Sequence, residues 1–116
     1  MTPRKTRFTT NPEQAASEQQ ALDAAIEALQ NAPDEALPFE RLADLSRPGV
    51  QRLRARWDEL PLARRLLVVD EMVKATESSV ERNYERALLV AFDDADADVR
   101  RRALDGLWEH ESDAFL

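Results

Sequence analysis

The sequence lacks cysteine, and it has only two glycines among 116 residues. Without cysteine the chain forms neither a disulfide nor a cysteine-ligated zinc site, and its redox compartment stays open. Runs of β-branched and aromatic residues long enough for strands are also missing. The longest uncharged apolar run covers residues 87–92, far short of a membrane-spanning helix. Residues 1–10 have no apolar core and do not resemble a secretory signal, so we expect a cytoplasmic protein without a membrane anchor.

The residues that are present predict helices. Apolar residues recur at spacings of three and four, which place them on one side of a helix. One such stripe comprises Val50, Leu53, Trp57 and Leu60. Prolines and N-capping residues separate the stripes. We therefore predict a single all-α domain without a sheet, with helices over about 11–31, 48–60, 61–75, 80–92 and 96–109.

Residues 91–108 contain the end of one amphipathic helix, an acidic turn and the start of another helix. The pair Val99-Arg100, followed by Ala103 and Leu104, resembles the inter-helix segment of a HEAT repeat. The resemblance covers about residues 48–111 and is strongest over 87–109. It implies an α-α superhelix built from antiparallel helix pairs, each of which needs a neighbour to cover its apolar face.

Two stretches of the chain are related by a shift of 35 residues, the distance from Arg65 to Arg100. The matched positions are Arg65, Val68, Val69 and Met72 with Arg100, Ala103, Leu104 and Leu107, together with Asp58 and Asp93. Leu104 and Leu107 are expected to face inward. The resemblance to HEAT repeats implies that Arg100 joins a ladder of ion pairs with Asp93 or Asp58.

The chain is predicted to have three parts. Residues 1–10 form a flexible basic arm, residues 11–45 form an N-terminal helical cap, and residues 46–116 form two HEAT-like helix pairs plus the start of a further helix. The last part ends in apolar residues that a solenoid normally covers with a capping repeat. These are Leu107, Trp108, Phe115 and Leu116. We expect this C-terminal end to be an interface, covered by a further repeat beyond Leu116, by a protein partner or by a second subunit.

The charge distribution bears on the choice of partner. The net charge is −7, but residues 46–75 carry seven bases and four acids. Arg52 and Arg56 share one side of a helix and are a candidate interface for an acidic partner. An acidic protein is a poor general nucleic-acid binder, so a nucleic-acid-binding HEAT-like solenoid is the alternative and not the favoured function. A lyase-like solenoid that carries a cofactor is a further possibility, although no residue points to it specifically.

No residue pattern indicates catalysis, a cofactor or a metal. Asp94, Asp96 and Asp98 have the spacing that opens a calcium loop, but that loop needs Gly and Glu where this chain has Val99 and Asp105. An N-cap explains these acids better. The lone histidine is His110, which has no nucleophile motif beside it. We therefore predict a non-enzymatic protein–protein interaction or assembly scaffold.

Overall fold

The computed structural model describes the backbone of residues 12–78 and 82–114 and the side chains of residues 17–78 and 82–108. These residues form α-helices and short 3-10 turns, with no strand in the described ranges, so the predicted all-α class is confirmed. The helices are α1 (Pro12–Asn31), α2 (Arg47–Arg56), α3 (Leu62–Ser78), α4 (Glu85–Phe92) and α5 (Ala97–Ala114). The 3-10 turns are Asp34–Ala36, Phe39–Leu42 and Trp57–Glu59.

Local capping sets where α2 and α5 begin. The Oγ of Ser46 accepts a hydrogen bond from the amide of Gly49 at 3.2 Å. The Oδ1 of Asp96 accepts from the amides of Asp98 at 2.9 Å and of Val99 at 3.2 Å. Each side chain thereby satisfies amide groups that the first helical turn leaves without an intrahelical acceptor. Asp96 thus confirms the N-cap predicted among the turn acids, and Ser46 is the N-cap of α2.

The start of α4 differs from the prediction. The expected helix from about residue 80 begins only at Glu85, and Val80 lies outside the described residues. Asn83 accounts for the later start, because its Oδ1 accepts a hydrogen bond from the amide of Glu85 at 2.8 Å. A short polar side chain that captures a nearby amide competes with helix propagation and favours a helix boundary.

Helix α5 packs against both α3 and α4, while α2 packs against α1 and α4. The pair α4–α5 is in close contact, whereas the backbones of α2 and α3 approach each other less closely. Gly106 explains the close fit of α5. A Cβ at this position would lie 2.8 Å from Leu88 on α4 and 3.0 Å from Val73 on α3. The missing side chain lets α5 lie in the groove between the two other helices.

The core combines the inner sides of all five helices. Its largest fully buried side chains include Ile26, Leu29, Leu53, Met72, Tyr84 and Leu88. Trp57, predicted to be core, is only 3% exposed. The expectation for Leu104 is wrong, because this side chain is 48% exposed, while Leu107 is partly buried against the core. The buried side of α5 consists of Val99, Ala103 and Gly106, and it leaves Leu104 on the outside.

The loops that precede α2 and α4 are joined to each other. The amide of Asp44 donates to the carbonyl of Asn83 at 2.7 Å, and the amide of Asn83 donates to Oδ1 of Asp44 at 3.2 Å. Asp44 adopts a φ of 54°, in the left-handed region where Asp is one of the better tolerated non-glycine residues. The two hydrogen bonds hold this backbone conformation and fix α4 relative to α2.

Candidate protein-interaction face

Four large apolar side chains are exposed on the second helix pair. Leu89 and Phe92 on α4 are 43% and 39% exposed, and Leu104 and Trp108 on α5 are 48% and 64% exposed. We call these four residues the outer face. Among the described residues, Leu62 is the other large hydrophobic side chain with comparable exposure.

Helix geometry places each pair of residues of the outer face on one side of its helix. Leu89 and Phe92 are three residues apart, and Leu104 and Trp108 are four apart, which are the spacings of neighbours on a helix surface. The approach of Leu88 to Gly106 sets the relative level of the two helices. Leu89 and Leu104 therefore lie at similar heights on adjacent helices.

The structure bears only in part on the predicted C-terminal interface. Trp108 is the most exposed of the large hydrophobic side chains, as an interface residue requires, whereas Leu107 packs partly against the core. Phe115 and Leu116 lie outside the described residues. The predicted interface did not include Leu89, Phe92 or Leu104. A helical wheel of α4 places Leu89 away from its apolar neighbours, so the sequence did contain a signal for this residue.

A buried carboxylate lies beneath the turn between α4 and α5. The side chain of Asp94 is fully buried. Its Oδ2 accepts a hydrogen bond from the indole Nε1 of Trp57 at 2.7 Å, and Nη1 of Arg65 lies 2.7 Å from both carboxylate oxygens. The amide of Asp96 donates to Oδ1 at 2.8 Å. Asp94 thus accepts hydrogen bonds from side chains at the end of α2 and at the start of α3.

The surroundings of Asp94 keep it ionised. Burial alone would raise the pKa of this carboxyl group, because it disfavours the charged form. The hydrogen bonds from the Asp96 amide, Arg65 and Trp57 outweigh burial, so the pKa of Asp94 lies below its usual value. Asp94 acts as a fixed anion that holds the α4–α5 turn against the first helix pair.

The ion pair expected for Arg100 is not formed among the described residues. Nη1 of Arg100 donates to the backbone carbonyls of Asp94 at 2.7 Å and of Ala95 at 2.9 Å. Asp93 forms its ion pair with Arg54 instead. Arg65, the equivalent of Arg100 in the first copy (α2–α3), joins α3 to the α4–α5 turn through Asp94, and it also lies 4.0 Å from Asp58 within its own copy. The expected partners were wrong because the turn carboxylate faces the preceding helix pair.

The candidate basic surface is largely engaged within the chain. Nε and Nη2 of Arg52 donate to the carboxylate of Asp23 on α1 at 2.9 and 2.8 Å. Arg56 lies 3.3 Å from Asp23 and 2.9 Å from Glu59. The hydrogen bond from Arg52 is the main reason that the pKa of Asp23 is lowered. These two arginines fasten α1 to α2, and their charges are already compensated.

Three further observations limit the kinds of site that the described part of the chain contains. No group of three or more histidine, aspartate or glutamate side chains there is arranged to hold a metal ion. None of its helices has both the length and the apolar character needed to cross a membrane. A shallow open depression is lined by Asp44, Leu45, Asn83, Glu85 and Arg86. The Asp44–Asn83 hydrogen bonds that join the two loops cross this depression, which gives it a structural role.

No known protein family, curated protein or solved structure matches this chain. The resemblance to HEAT repeats, including the superhelical arrangement that it implies, therefore stays a prediction.

Proposed function

We propose that the chain is a non-enzymatic protein–protein interaction or assembly scaffold of HEAT-like helix pairs, and that it works in the cytoplasm. The observation that carries this proposal is the outer face. Leu89, Phe92, Leu104 and Trp108 are exposed on two adjacent helices, as two pairs at the spacing of helix-surface neighbours. Large apolar side chains grouped in exposed positions mark contact sites on proteins. Tryptophan is also one of the side chains most often found at energetic hot spots of interfaces.

The charges favour a protein partner over nucleic acid. Binding to DNA or RNA depends on cations that neutralise phosphates. The chain carries a net charge of −7, and Arg52 and Arg56, the best placed bases, are paired with Asp23 and Glu59. A nucleic-acid-binding solenoid remains the alternative. Sub-micromolar, salt-sensitive binding that is lost on changing Arg52 and Arg56 to Ala would make it the better proposal.

Site-specific cross-linking in cells that produce the protein tests the proposal. A photoreactive residue is placed at Leu104 on the outer face, and a control variant carries it at Glu27, an exposed position on α1. We expect a discrete adduct with another protein at Leu104 that is absent at Glu27, and mass spectrometry then identifies it. Identical adduct patterns at the two positions would contradict a binding role for the outer face.

A further inference from the structure

The two copies related by the 35-residue shift, α2–α3 and α4–α5, match in structure where their second helices begin. Helix α3 begins at Leu62 and α5 begins at Ala97, which is the same shift. Nε of Arg65 donates to the carbonyl of Leu60 at 3.0 Å, and Nη1 of Arg100 donates to the carbonyl of Ala95 at 2.9 Å. Each arginine thus bonds a carbonyl five residues before it. The way in which the second copy covers the first therefore shows how the second copy can itself be covered.

The side of α3 that α5 covers corresponds to the exposed side of α5. Val73 of α3 approaches Gly106 of α5, and the neighbouring Val69 is fully buried. The residues of α5 equivalent to Val69 and Val73 are Leu104 and Trp108, and both belong to the outer face.

The residue that follows α2 and the last residue of α4 show the same contrast. Trp57, 3% exposed, corresponds to Phe92, 39% exposed. Positions that are covered in the first copy are open in the second.

Three ion pairs accompany the contact between the copies. One of them, Arg54–Asp93, is largely exposed. The other two run in opposite directions. Arg65 of the first copy donates to Asp94 of the second, and Asp70 of the first copy accepts from Arg102 of the second at 2.6 Å. The equivalent of Arg65 is Arg100, which has no carboxylate partner among the described residues.

The equivalent of Asp70 is Asp105. It is exposed and forms no ion pair within the part of the chain that the structure describes. Arg100 and Asp105 therefore occupy the positions at which the first copy makes two of its three inter-copy ion pairs. The equivalent of Arg54, which makes the third, is Leu89.

We infer that the outer face binds an antiparallel helix pair of a partner protein, in the register that α4–α5 adopts on the first copy. The partner covers Phe92 and Leu104 with its apolar stripe, places a carboxylate of its inter-helix turn against Arg100 and places a basic residue against Asp105. This inference rests on the proposed function of the outer face. A second copy of the chain fits less well. Apart from its own outer face, the described part of that copy exposes one large apolar side chain, Leu62, and no apolar helix-pair stripe.

A chain extended by one helix pair tests this register. Residues 80–114 are repeated once, directly after residue 114, so that the added copy can supply the inferred helix pair, with its turn acids and its arginine. Unfolding constants are then measured by chemical denaturation for the natural and the extended chain. We expect Leu104→Ala to change the constant less than about fivefold in the natural chain and about 30-fold or more in the extended chain, because the side chain becomes core.

The charged positions supply the matched controls. Asp105→Asn is expected to shift the unfolding constant of the extended chain about fivefold or more and to leave the natural chain nearly unchanged. Arg100→Gln also removes the hydrogen bonds to the carbonyls of Asp94 and Ala95, so it should destabilise both chains, with an effect about fivefold or more larger in the extended chain. Arg101→Gln is the control, because Arg101 pairs with Asp98 in its own helix and does not belong to the inferred contact. It should change neither chain appreciably.

Two results would overturn the inference. One is that Leu104→Ala has the same small effect in both chains, which would mean that the outer face does not accept a helix pair in this register. The other is that the natural chain sediments as a dimer that Leu104→Ser disperses, which would make a second copy the occupant. A cross-linked partner at Leu104 together with the first result would leave the proposed function intact and refute only the helix-pair register.

Discussion

The buried carboxylate of Asp94 gives the sharpest prediction about stability. Replacing Asp94 with Ala removes the acceptor of three donors, those of Trp57, Arg65 and the Asp96 amide. The Arg65 side chain is only 16% exposed, so water compensates it poorly when its anion is lost. Removing one partner of a buried ion pair typically costs about 3–5 kcal/mol. We expect Asp94→Ala to lower the free energy of unfolding by about 3–4 kcal/mol.

The neighbouring residue is the matched control. Asp93 also forms an ion pair, but its side chain is 63% exposed and that of its partner Arg54 is 48% exposed. Exposed pairs contribute about 0–1 kcal/mol, so Asp93→Ala should change the unfolding free energy by no more than that. Urea denaturation followed by circular dichroism at neutral pH compares the two variants. Equal losses for Asp93→Ala and Asp94→Ala would refute the assignment of Asp94 as the carboxylate that joins the two helix pairs.

The same residue predicts a pH dependence. The pKa of Asp94 is lower in the folded chain than in the unfolded chain, so folding favours the deprotonated form. The stabilisation is fully present above the unfolded pKa of about 3.9 and is lost as the pH falls through the lower, folded pKa. In acid denaturation, the stability of Asp94→Asn should therefore fall less steeply below about pH 4 than that of the natural chain. Parallel acid-side curves would show that folding does not lower the pKa of Asp94.

Three further predictions test the fold and the alternative function. Leu88→Ala should lower the free energy of unfolding by about 2–5 kcal/mol, because Leu88 is fully buried. Leu89→Ala should lower it by less than about 1 kcal/mol, because Leu89 is 43% exposed, and similar losses would contradict the assigned sides of α4. Gly106→Ala should destabilise the chain by about 1 kcal/mol, although alanine has the better helix propensity, because the added Cβ would lie 2.8 Å from Leu88. Gly49→Ala should be neutral or stabilising, because an added Cβ there has no contact under 3.3 Å. A stabilising Gly106→Ala would show that α5 is less tightly packed. Fluorescence anisotropy with labelled DNA and RNA at physiological salt should show at most weak binding, and tight, salt-sensitive binding would support the alternative function.

The parts of the fold that local chemistry decides could be predicted from the sequence. Ser46 and Asp96 cap helices because a short oxygen-bearing side chain satisfies amides two or three residues ahead, whatever the rest of the chain does. The 35-residue shift was visible for the same reason, since it needs only a comparison of residue types. Both features depend on residues that are close in sequence or on a simple periodicity.

The orientation of α5 depends on distant residues, and the prediction was wrong at Leu104. Val99, Ala103, Leu104 and Leu107 form one broad apolar stripe, and a helix buries only part of such a stripe. Gly106 decides which part, because it is the position at which Leu88 and Val73 approach the helix backbone. Because glycine has no side chain, it adds nothing to a hydrophobic pattern. A pattern drawn from the apolar residues alone therefore predicts that Leu104 is buried and misses Gly106.

The charged residues show why charge counts alone do not reveal which charges the fold leaves unpaired. The basic stretch that contains Arg52 and Arg56 is compensated by Asp23, which lies 29 and 33 residues earlier on a different helix. Asp94, one of several acids in a turn, is the buried one only because Trp57 and Arg65 converge on it. Folding thus pairs these two arginines with acids of the same chain. The exposed residues Phe92 and Leu104 correspond to Trp57 and Val69, which are buried in the first copy. This contrast becomes visible only when burial is compared position by position across the repeat.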